Sequence, residues 1–295
     1  MKIVLLGPGL MGSHIACEYA LGGHEVAVLA RRPDVACERI ERGFSTAREY
    51  GLATSEQVDV ARDRLTISED LAVTDGARII VESVVEDLTE KKSALLPVVA
   101  RDSGAIIASN TSSIPITAIG AAIEAGERTV GVHYWNPPLL MPMVEIIRGD
   151  ETAETVVTEM TATLRALGKR PVLVDHDVQG FAWNRLQLAL LREAVWLVEN
   201  GVASPASVDE IVRDGLARRW RFTGPFQTAA LGGAATFERV ANLLWPALST
   251  ATSLENLRQW LDESPETTRQ LRERRDRGLA ADMRADRERE TGDES

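Results

Sequence analysis

A short apolar strand that runs straight into a glycine-spaced turn and then a helix leaves a chain few ways to fold. Here Lys2-Ile3-Val4-Leu5-Leu6 leads into Gly7-Pro8-Gly9-Leu10-Met11-Gly12, and Ile15, Ala16, Tyr19 and Ala20 follow on one face of a helix. Each glycine has its own duty: Gly7 permits the tight turn, Gly9 lets a pyrophosphate approach the backbone, and Gly12 lets helix and strand pack closely. The helix N-terminus turns unpaired N–H groups and the positive end of its dipole toward the phosphates. The pattern predicts an α/β fold that opens with a Rossmann-type dinucleotide-binding domain. A glycine-rich turn with no ligand is the plain alternative.

The end of the second strand bears on the choice of dinucleotide. Gly22-Gly23-His24 closes the first helix and Glu25-Val26-Ala27-Val28-Leu29 reads as the next strand. A fold that prefers NAD usually carries an acidic residue there, accepting from the ribose 2′-hydroxyl. This chain has Ala30, Arg31 and Arg32 instead. Two guanidiniums suit a 2′-phosphate, so NADP(H) is the cofactor expected, with NAD as the alternative. Solvated loop arginines, or Asp34 turned back toward the ribose, would favour the alternative.

Strand and helix patterns alternate as far as Pro171-Val172-Leu173-Val174, and Asp175 to Gly180 is a polar break. Beyond it the strand signals stop. Phe181–Val198 and Pro205–Leu216 have helical spacing, and further helices are expected over 234–248 and 253–262. From about Arg272, Arg, Asp and Glu alternate with almost no apolar residues, so the tail is read as a frayed helix or disordered. The expected organisation is a dinucleotide domain over 1–179, an all-helical substrate and dimerisation domain over 180–271, and a polar tail over 272–295. Trp183, Trp196 and Trp220 point to a homodimer that buries them.

With 295 residues the chain has room for both domains. The net charge of -11 argues against a nucleic-acid partner. Cys17 and Cys37 fit no metal-ligand spacing, so no metal is expected. No stretch approaches the ~20 apolar residues of a membrane span, and a soluble cytoplasmic protein is expected.

The chemistry is expected between Gly131 and Ile147. His133, one of four histidines, stands at the end of an apolar run. Asn136-Pro137-Pro138 and Pro142 forbid a central strand and fix an irregular turn. Met143-Val144-Glu145-Ile146-Ile147 then resumes the strand pattern with one carboxylate inside it. A buried Glu needs a partner. If Glu145 accepts from one nitrogen of His133, the tautomer is fixed and the other nitrogen is left to take a proton. The residues alone fit a structural His–Glu pair equally well. Ser109-Asn110-Thr111-Ser112-Ser113, at the end of another strand, either cap the next helix or hold a ligand oxygen. Asn184 either reaches back to the cleft or is solvated.

With those pieces in place the chain resembles the 3-hydroxyacyl-CoA dehydrogenase family up to about Leu261. The resemblance lies in Gly7-x-Gly9-x-x-Gly12, Glu82-Ser83-Val84-Val85-Glu86-Asp87, Ser109 to Ser113, His133-x-x-Asn136-Pro137, Glu145 and Gly180-Phe181-x-x-Asn184-Arg185. It implies that His133 is the general base, that Glu145 orients it, and that Ser112 and Asn184 bind the substrate oxygen. Glu86, Lys91 and Asn136 would line the nicotinamide side. Taken with the reading of the residues themselves, the expected cofactor contacts are Gly7, Gly9, Leu10, Met11, Gly12, Arg31, Arg32, Glu86, Lys91, Asn110 and Asn136. Ala30-Arg31-Arg32 departs from most of the family, which usually has an acidic residue there.

A second resemblance, to the L-gulonate 3-dehydrogenase and lambda-crystallin branch, rests on Asn184 to Gln187, Glu193-Ala194, Val198-Glu199-x-Gly201, Gly215 to Phe226 and Asn136-Pro137-Pro138. That branch acts on a free 3-hydroxy acid. Arg218, Arg219 and Arg221 could clamp a small carboxylate, meet the phosphates of CoA or a carrier thioester, or pair with acids across a dimer. The expected activity is an NAD(P)-dependent dehydrogenase interconverting a 3-hydroxyacyl thioester and its 3-oxo form, with a free 3-hydroxy acid as the alternative substrate. A non-catalytic dinucleotide-binding structural or sensor protein is the alternative of another class.

Overall fold

The apolar runs pair into one eight-stranded sheet, in the order β3-β2-β1-β4-β5-β6-β7-β8. The strands are β1 (Lys2–Leu6), β2 (Glu25–Leu29), β3 (Leu65–Ser68), β4 (Ile79–Glu82), β5 (Ile106–Ser109), β6 (Thr129–Tyr134), β7 (Met143–Arg148) and β8 (Arg170–Val174). The computed structural model describes residues 1–101, 104–254, 257–261 and 263–292. Strands β1 to β6 are parallel; β7 runs back against β6, and β8 follows β7 in parallel. Strand order reverses at β1, where β2 lies on one side and β4 on the other. A crevice opens at such a switch point, beyond the carboxyl ends of the strands.

Helices cover both faces, which is why the central strands read as unbroken apolar runs. They are α1 (Leu10–Leu21), α2 (Pro33–Glu49), α3 (Ser55–Asp63), α4 (Leu88–Arg101), α5 (Ile116–Ala122) and α6 (Glu154–Ala166). On one face Ile3, Leu5, Val26, Val28, Ile79 and Val81 pack under Ile15, Tyr19, Ile40, Phe44 and Met160. On the other, Val4, Leu6, Ile80 and Ile107 pack under Leu95, Val98, Ile116 and Ile119. Local signals agree with this packing. Pro33 opens α2, and Thr54 and Gln57 form a capping box at α3.

The second half holds α7 (Phe181–Glu199), α8 (Pro205–Glu210), α9 (Ala217–Trp220), α10 (Pro225–Gly232), α11 (Ala234–Leu244) and α12 (Pro265–Gly292). A π-helical turn, Ile211–Leu216, joins α8 to α9. The helix expected over 253–262 lies partly outside the described residues, and a 3-10 turn occupies Leu257–Trp260.

The chain divides into two compact units, Met1–Ala182 with the chain from Arg269 onward, and Trp183–Thr268. Of the two readings of the tail, a frayed helix or disorder, its described part takes the first. Through 292 it is a helix and belongs with the first unit, because a narrow stripe of Asp276, Leu279, Ala280 and Met283 turns inward. Arg284 donates to the Tyr50 carbonyl and Asp286 pairs with Arg170. The last residues of the expected tail, 293–295, lie outside the described residues.

Candidate active site

The glycine turn shapes the cofactor cleft. Gly7 has φ +81° and a Cβ there would meet the Ser83 carbonyl oxygen at 2.6 Å; at Gly12 it would lie 2.3 Å from the Gly7 carbonyl oxygen. A Cβ on Gly9 would meet nothing within 4 Å. So Gly7 and Gly12 are required by packing, whereas Gly9 leaves its backbone open to the cleft. That arrangement fits a pyrophosphate at the start of α1. Leu10 is exposed and Met11 half-buried there. The cleft, about 670 Å³, is lined by Gly7–Gly9, Ala30, Arg31, Arg32, Arg39, Ser83–Val85 and Glu90. Arg39 was not anticipated from the sequence; it donates to the Pro8 carbonyl at 3.1 Å and braces the turn. Asp34 is exposed and does not line the cleft.

At the carboxyl end of β4 and β5 a charged network holds two turns together. The Lys91 ammonium, 1% exposed, lies 2.8 Å from Glu82 and 3.2 Å from Glu86. Glu82 Oε2 accepts from the Ser109 hydroxyl at 2.6 Å and Oε1 from the Val84 N–H at 2.7 Å. Glu86 Oε1 accepts from the N–H groups of Ser112 and Ser113 at 2.8 and 2.7 Å, and from the Thr111 and Ser113 hydroxyls at 2.7 and 2.9 Å. Burial pushes the Glu86 carboxyl up, but the Thr111 hydroxyl, Lys91, the Ser113 hydroxyl and the Ser112 N–H outweigh it and hold the group down at about 2. Glu86 thus sets the 111–113 turn, with Ser112 in it. Lys91 is the buried counter-charge of two carboxylates. Asn110 bridges to the next strand, accepting from the Tyr134 N–H at 2.9 Å and donating to the Ser83 hydroxyl at 3.2 Å.

His133 and Glu145 are direct partners across the antiparallel β6–β7 pair. His133 Nδ1 lies 2.7 Å from Glu145 Oε2, and both residues are buried. The other carboxylate oxygen accepts from the Ala182 N–H at 3.2 Å. That N–H is presented by two left-handed residues in succession, Gly180 (φ 79°) and Phe181 (φ 48°). A non-glycine residue in this region costs of order 1–3 kcal/mol, and the fully buried Phe181 ring, 5.7 Å from the His133 ring, holds it there. Nδ1 donates to the carboxylate, which leaves Nε2 as the nitrogen able to take a proton. The turn between the strands begins with a cis Asn136–Pro137 bond, and Asn136 is exposed.

The first unit therefore brings together the glycine turn, Arg31 and Arg32 along one cleft, and the Ser109–Ser113 turn and His133 at the same edge of the sheet. Asn184, Arg218, Arg219 and Arg221 belong to the second unit. There Asn184 is half-buried near the start of α7, and the three arginines are exposed around the end of α9. Among the described residues no group of His, Cys, Asp and Glu could hold a metal ion, and no helix is long and apolar enough to cross a membrane.

The family model for the 3-hydroxyacyl-CoA dehydrogenase NAD binding domain matches residues 2–178, and that for the C-terminal domain matches residues 180–276. The chain belongs to the 3-hydroxyacyl-CoA dehydrogenase family. Its fold, cleft and enzymatic class follow: it carries an NAD-binding domain and is an oxidoreductase acting on a secondary alcohol. Among the similar proteins, 5-formyl-3-hydroxy-2-methylpyridine 4-carboxylate 5-dehydrogenase of Mesorhizobium japonicum is 36% identical over 255 residues, 84% of this chain and 81% of that protein. A lambda-crystallin homolog of Homo sapiens is 31% identical over 240 residues, 78% of this chain and 74% of that protein. A crystal structure of the pyridine carboxylate 5-dehydrogenase, described as an NAD+ dependent dismutase, superposes with a TM-score of 0.85 at 29% identity and covers 96% of this chain and 97% of that one.

Sequence reasoning missed Glu82, Arg39 and the Ala182 N–H. Glu82 had a signal: a carboxylate closing a buried strand, nine positions before a lysine on the next helix. Arg39 lies on the cleft side of α2, one of several surface arginines. A backbone donor has no signal beyond the glycine at 180.

Proposed function

We propose that the protein interconverts a 3-hydroxyacyl compound and its 3-oxo form, with His133 as general base and a nicotinamide dinucleotide in the cleft. The observation that carries this is the 2.7 Å bond from His133 Nδ1 to Glu145, itself held by the Ala182 N–H. When bound, the nicotinamide exchanges the hydride with C3. His133 Nε2 takes the hydroxyl proton during oxidation and returns it during reduction, and the proton it gains sits on a ring already bonded to a carboxylate. Ser112, in the turn fixed by Glu86, is the donor proposed for the oxygen at C3, and Asn184 is taken from the family's pattern as a second. Fixed donors help most where charge develops during the reaction. Asn110 and Asn136, at the ends of neighbouring strands, fall on the proposed nicotinamide side.

NADP(H) is the preferred cofactor in this reading. Ala30 supplies no carboxylate, and Arg31, Arg32 and Arg39 line the cleft. The solved relative described as NAD+ dependent sets the contrary expectation. Measuring kcat/KM with both cofactors decides between them; a preference for NAD+ that survives Arg31→Ala would end the NADP reading.

A free 3-hydroxy acid is the second reading for the substrate. It is favoured by a relative named for a carboxylate substrate, with Arg218, Arg219 and Arg221 as the carboxylate clamp. The test is a panel of 3-hydroxyacyl-CoA thioesters and free 3-hydroxy acids. His133→Ala should lower kcat by ~10²–10⁴-fold, the usual worth of general acid–base catalysis, and retained turnover would refute the base assignment.

Self-association through the helical unit completes the reading. Among its described residues only Val195, Val208 and Ser249 are buried, whereas Phe226 is 91% exposed and Leu231 79%. So much open apolar surface marks an interaction face, and a second copy is the partner proposed. Sedimentation as a monomer at micromolar concentration would count against it. A cytoplasmic location belongs to the same reading.

A further inference from the structure

On the first unit a second group of buried charges has no part in the proton transfer. Lys169, which directly precedes β8, is 5% exposed. Its ammonium lies 2.6 Å from Glu18 Oε1 on α1, and it donates to the carbonyls of Pro138 at 2.7 Å and Met141 at 2.9 Å. An ammonium has three hydrogens, and these three acceptors use them all. It also lies 6.0 Å from the centre of the Tyr134 ring, the residue after His133. One buried cation therefore touches the helix that starts at the glycine turn, the end of β6, and the turn that joins His133 to Glu145.

That turn needs an outside donor. Pro137, Pro138 and Pro142 have no N–H, so the turn is poor in donors of its own. Its buried carbonyls still require partners. An apolar pair of similar size in place of Glu18 and Lys169 would pack as well, and replacing a buried ion pair in this way is often neutral or stabilising. It could not collect two carbonyls of a proline turn. What the cation adds over an apolar pair is its hold on those two carbonyls, and so on the turn that carries them.

We propose that Glu18 and Lys169 are positioning residues for the dehydrogenation. They fix the 135–142 turn, and with it the His133–Glu145 pair, relative to the helix whose N-terminus holds the cofactor. The inference rests on the function proposed above.

The test replaces both charges, so that neither is left buried alone. The Glu18→Met, Lys169→Met double variant of the full chain is expected to melt below the wild type, because the Pro138 and Met141 carbonyls lose their donor, and to bind the dinucleotide within threefold of its affinity. Its kcat should fall at least tenfold on the order of the effects seen for misplaced catalytic groups. With substrate deuterated at C3 the isotope effect on kcat should rise, because hydride transfer becomes rate-limiting. Added to His133→Ala, the same two changes should alter kcat less than twofold, since they act through the histidine. A double variant with kcat within twofold of wild type and an unchanged isotope effect overturns the proposal, as does a full additive loss in the His133→Ala background. Should the double variant not fold, Lys169→Arg keeps the charge, but its planar guanidinium cannot radiate three donors from one atom. Its kcat should then fall at least fivefold, and an unaltered kcat is equally fatal. If His133→Ala itself keeps wild-type turnover, it is the function proposed above that fails.

Discussion

Replacing Glu145 by glutamine changes a single atom of the candidate site and presents it with two bad choices. Oε1 accepts from the Ala182 N–H and Oε2 from His133 Nδ1, so both carboxylate oxygens act as acceptors. An amide offers one acceptor and one donor. If its oxygen stays on Ala182, its NH2 faces Nδ1, which must then accept; the ring proton moves to Nε2, and no base remains. If its oxygen stays on His133, two donors meet at Ala182. That arrangement keeps the reactive tautomer but costs about 1–3 kcal/mol, a factor of roughly 5–150 in population. Exchanging a charge-assisted bond for a neutral one beside a ring that gains a proton removes about another 1 kcal/mol. Together, about 2–4 kcal/mol, these predict a fall in kcat of roughly 30- to 900-fold, overlapping the lower part of the ~10²–10⁴ range for general acid–base catalysis. Turnover followed by nicotinamide absorbance measures it, and fluorescence titration should give an unchanged dinucleotide affinity. Nitrogen-15 NMR of the four histidines should show one ring change tautomer. A kcat within threefold of wild type, or a ring that keeps its Nδ1 proton at full occupancy, would refute the reasoning.

Three further outcomes follow from the first unit. Gly12→Ala sets a Cβ 2.3 Å from the Gly7 carbonyl oxygen; the neighbour is backbone, so the cofactor turn must shift and dinucleotide affinity should fall at least tenfold by about the 1.4 kcal/mol that a decade represents, which titration checks. Lys91→Met leaves Glu82 buried without its cation and should destabilise by about 3–5 kcal/mol in urea unfolding, with most of it recovered in the Glu82→Gln, Lys91→Met double variant. The Glu86 carboxyl is depressed in the folded protein from an ordinary value near 4.5 to about 2. Its stabilising contribution is therefore fully present above pH 4.5 and is lost as pH falls through about 2. The stability gap between wild type and Glu86→Gln should narrow from pH 6 to pH 3, and a constant gap would show that the charge contributes nothing.

The parts that were legible in the sequence are those where one residue type alone can do the work. Gly7 and Gly12 are places where a Cβ collides with backbone, and the strand before them is apolar because helices cover both of its faces. The His133–Glu145 pair was legible for another reason: two apolar runs separated by a proline turn imply an antiparallel return, and an antiparallel return brings distant positions face to face. A helix was one of two readings of the tail, but the packing of α12 with the first unit was not legible. Its inward stripe is thin, Leu279, Ala280 and Met283 beside Asp276, and it is outnumbered by the charges on every other face. What buries Asp276 is its place against the first unit, near His14 on α1, and composition cannot report that. The arginines at 218, 219 and 221 gave a second difficulty. They follow a π-helical turn, Ile211–Leu216, which shifts the register of the helix, so the direction in which they emerge could not be read from a 3.6-residue period.

Three charged groups of the first unit share a feature that explains why the site needs so many of them. Glu145 binds His133 on one side and the Ala182 N–H on the other; Glu86 binds Lys91 and the N–H groups of Ser112 and Ser113; Lys169 binds Glu18 and the carbonyls of Pro138 and Met141. In each case one side of the charged group meets an ionisable partner and the other grips the backbone of a turn. Apolar packing is non-directional, and it would let such turns settle in several arrangements of similar energy. A hydrogen bond to a charged group contributes about 1.5–3 kcal/mol, so a turn that slips and loses two of them rises by about 3–6 kcal/mol. That keeps the displaced arrangement below about 1% of the population. The residues so fixed are Ser112, just beyond β5, and His133 and Asn136, in and just beyond β6. A site assembled from the ends of several strands is held in register only if each end is tied separately, and a charged side chain ties it at the cost of little volume.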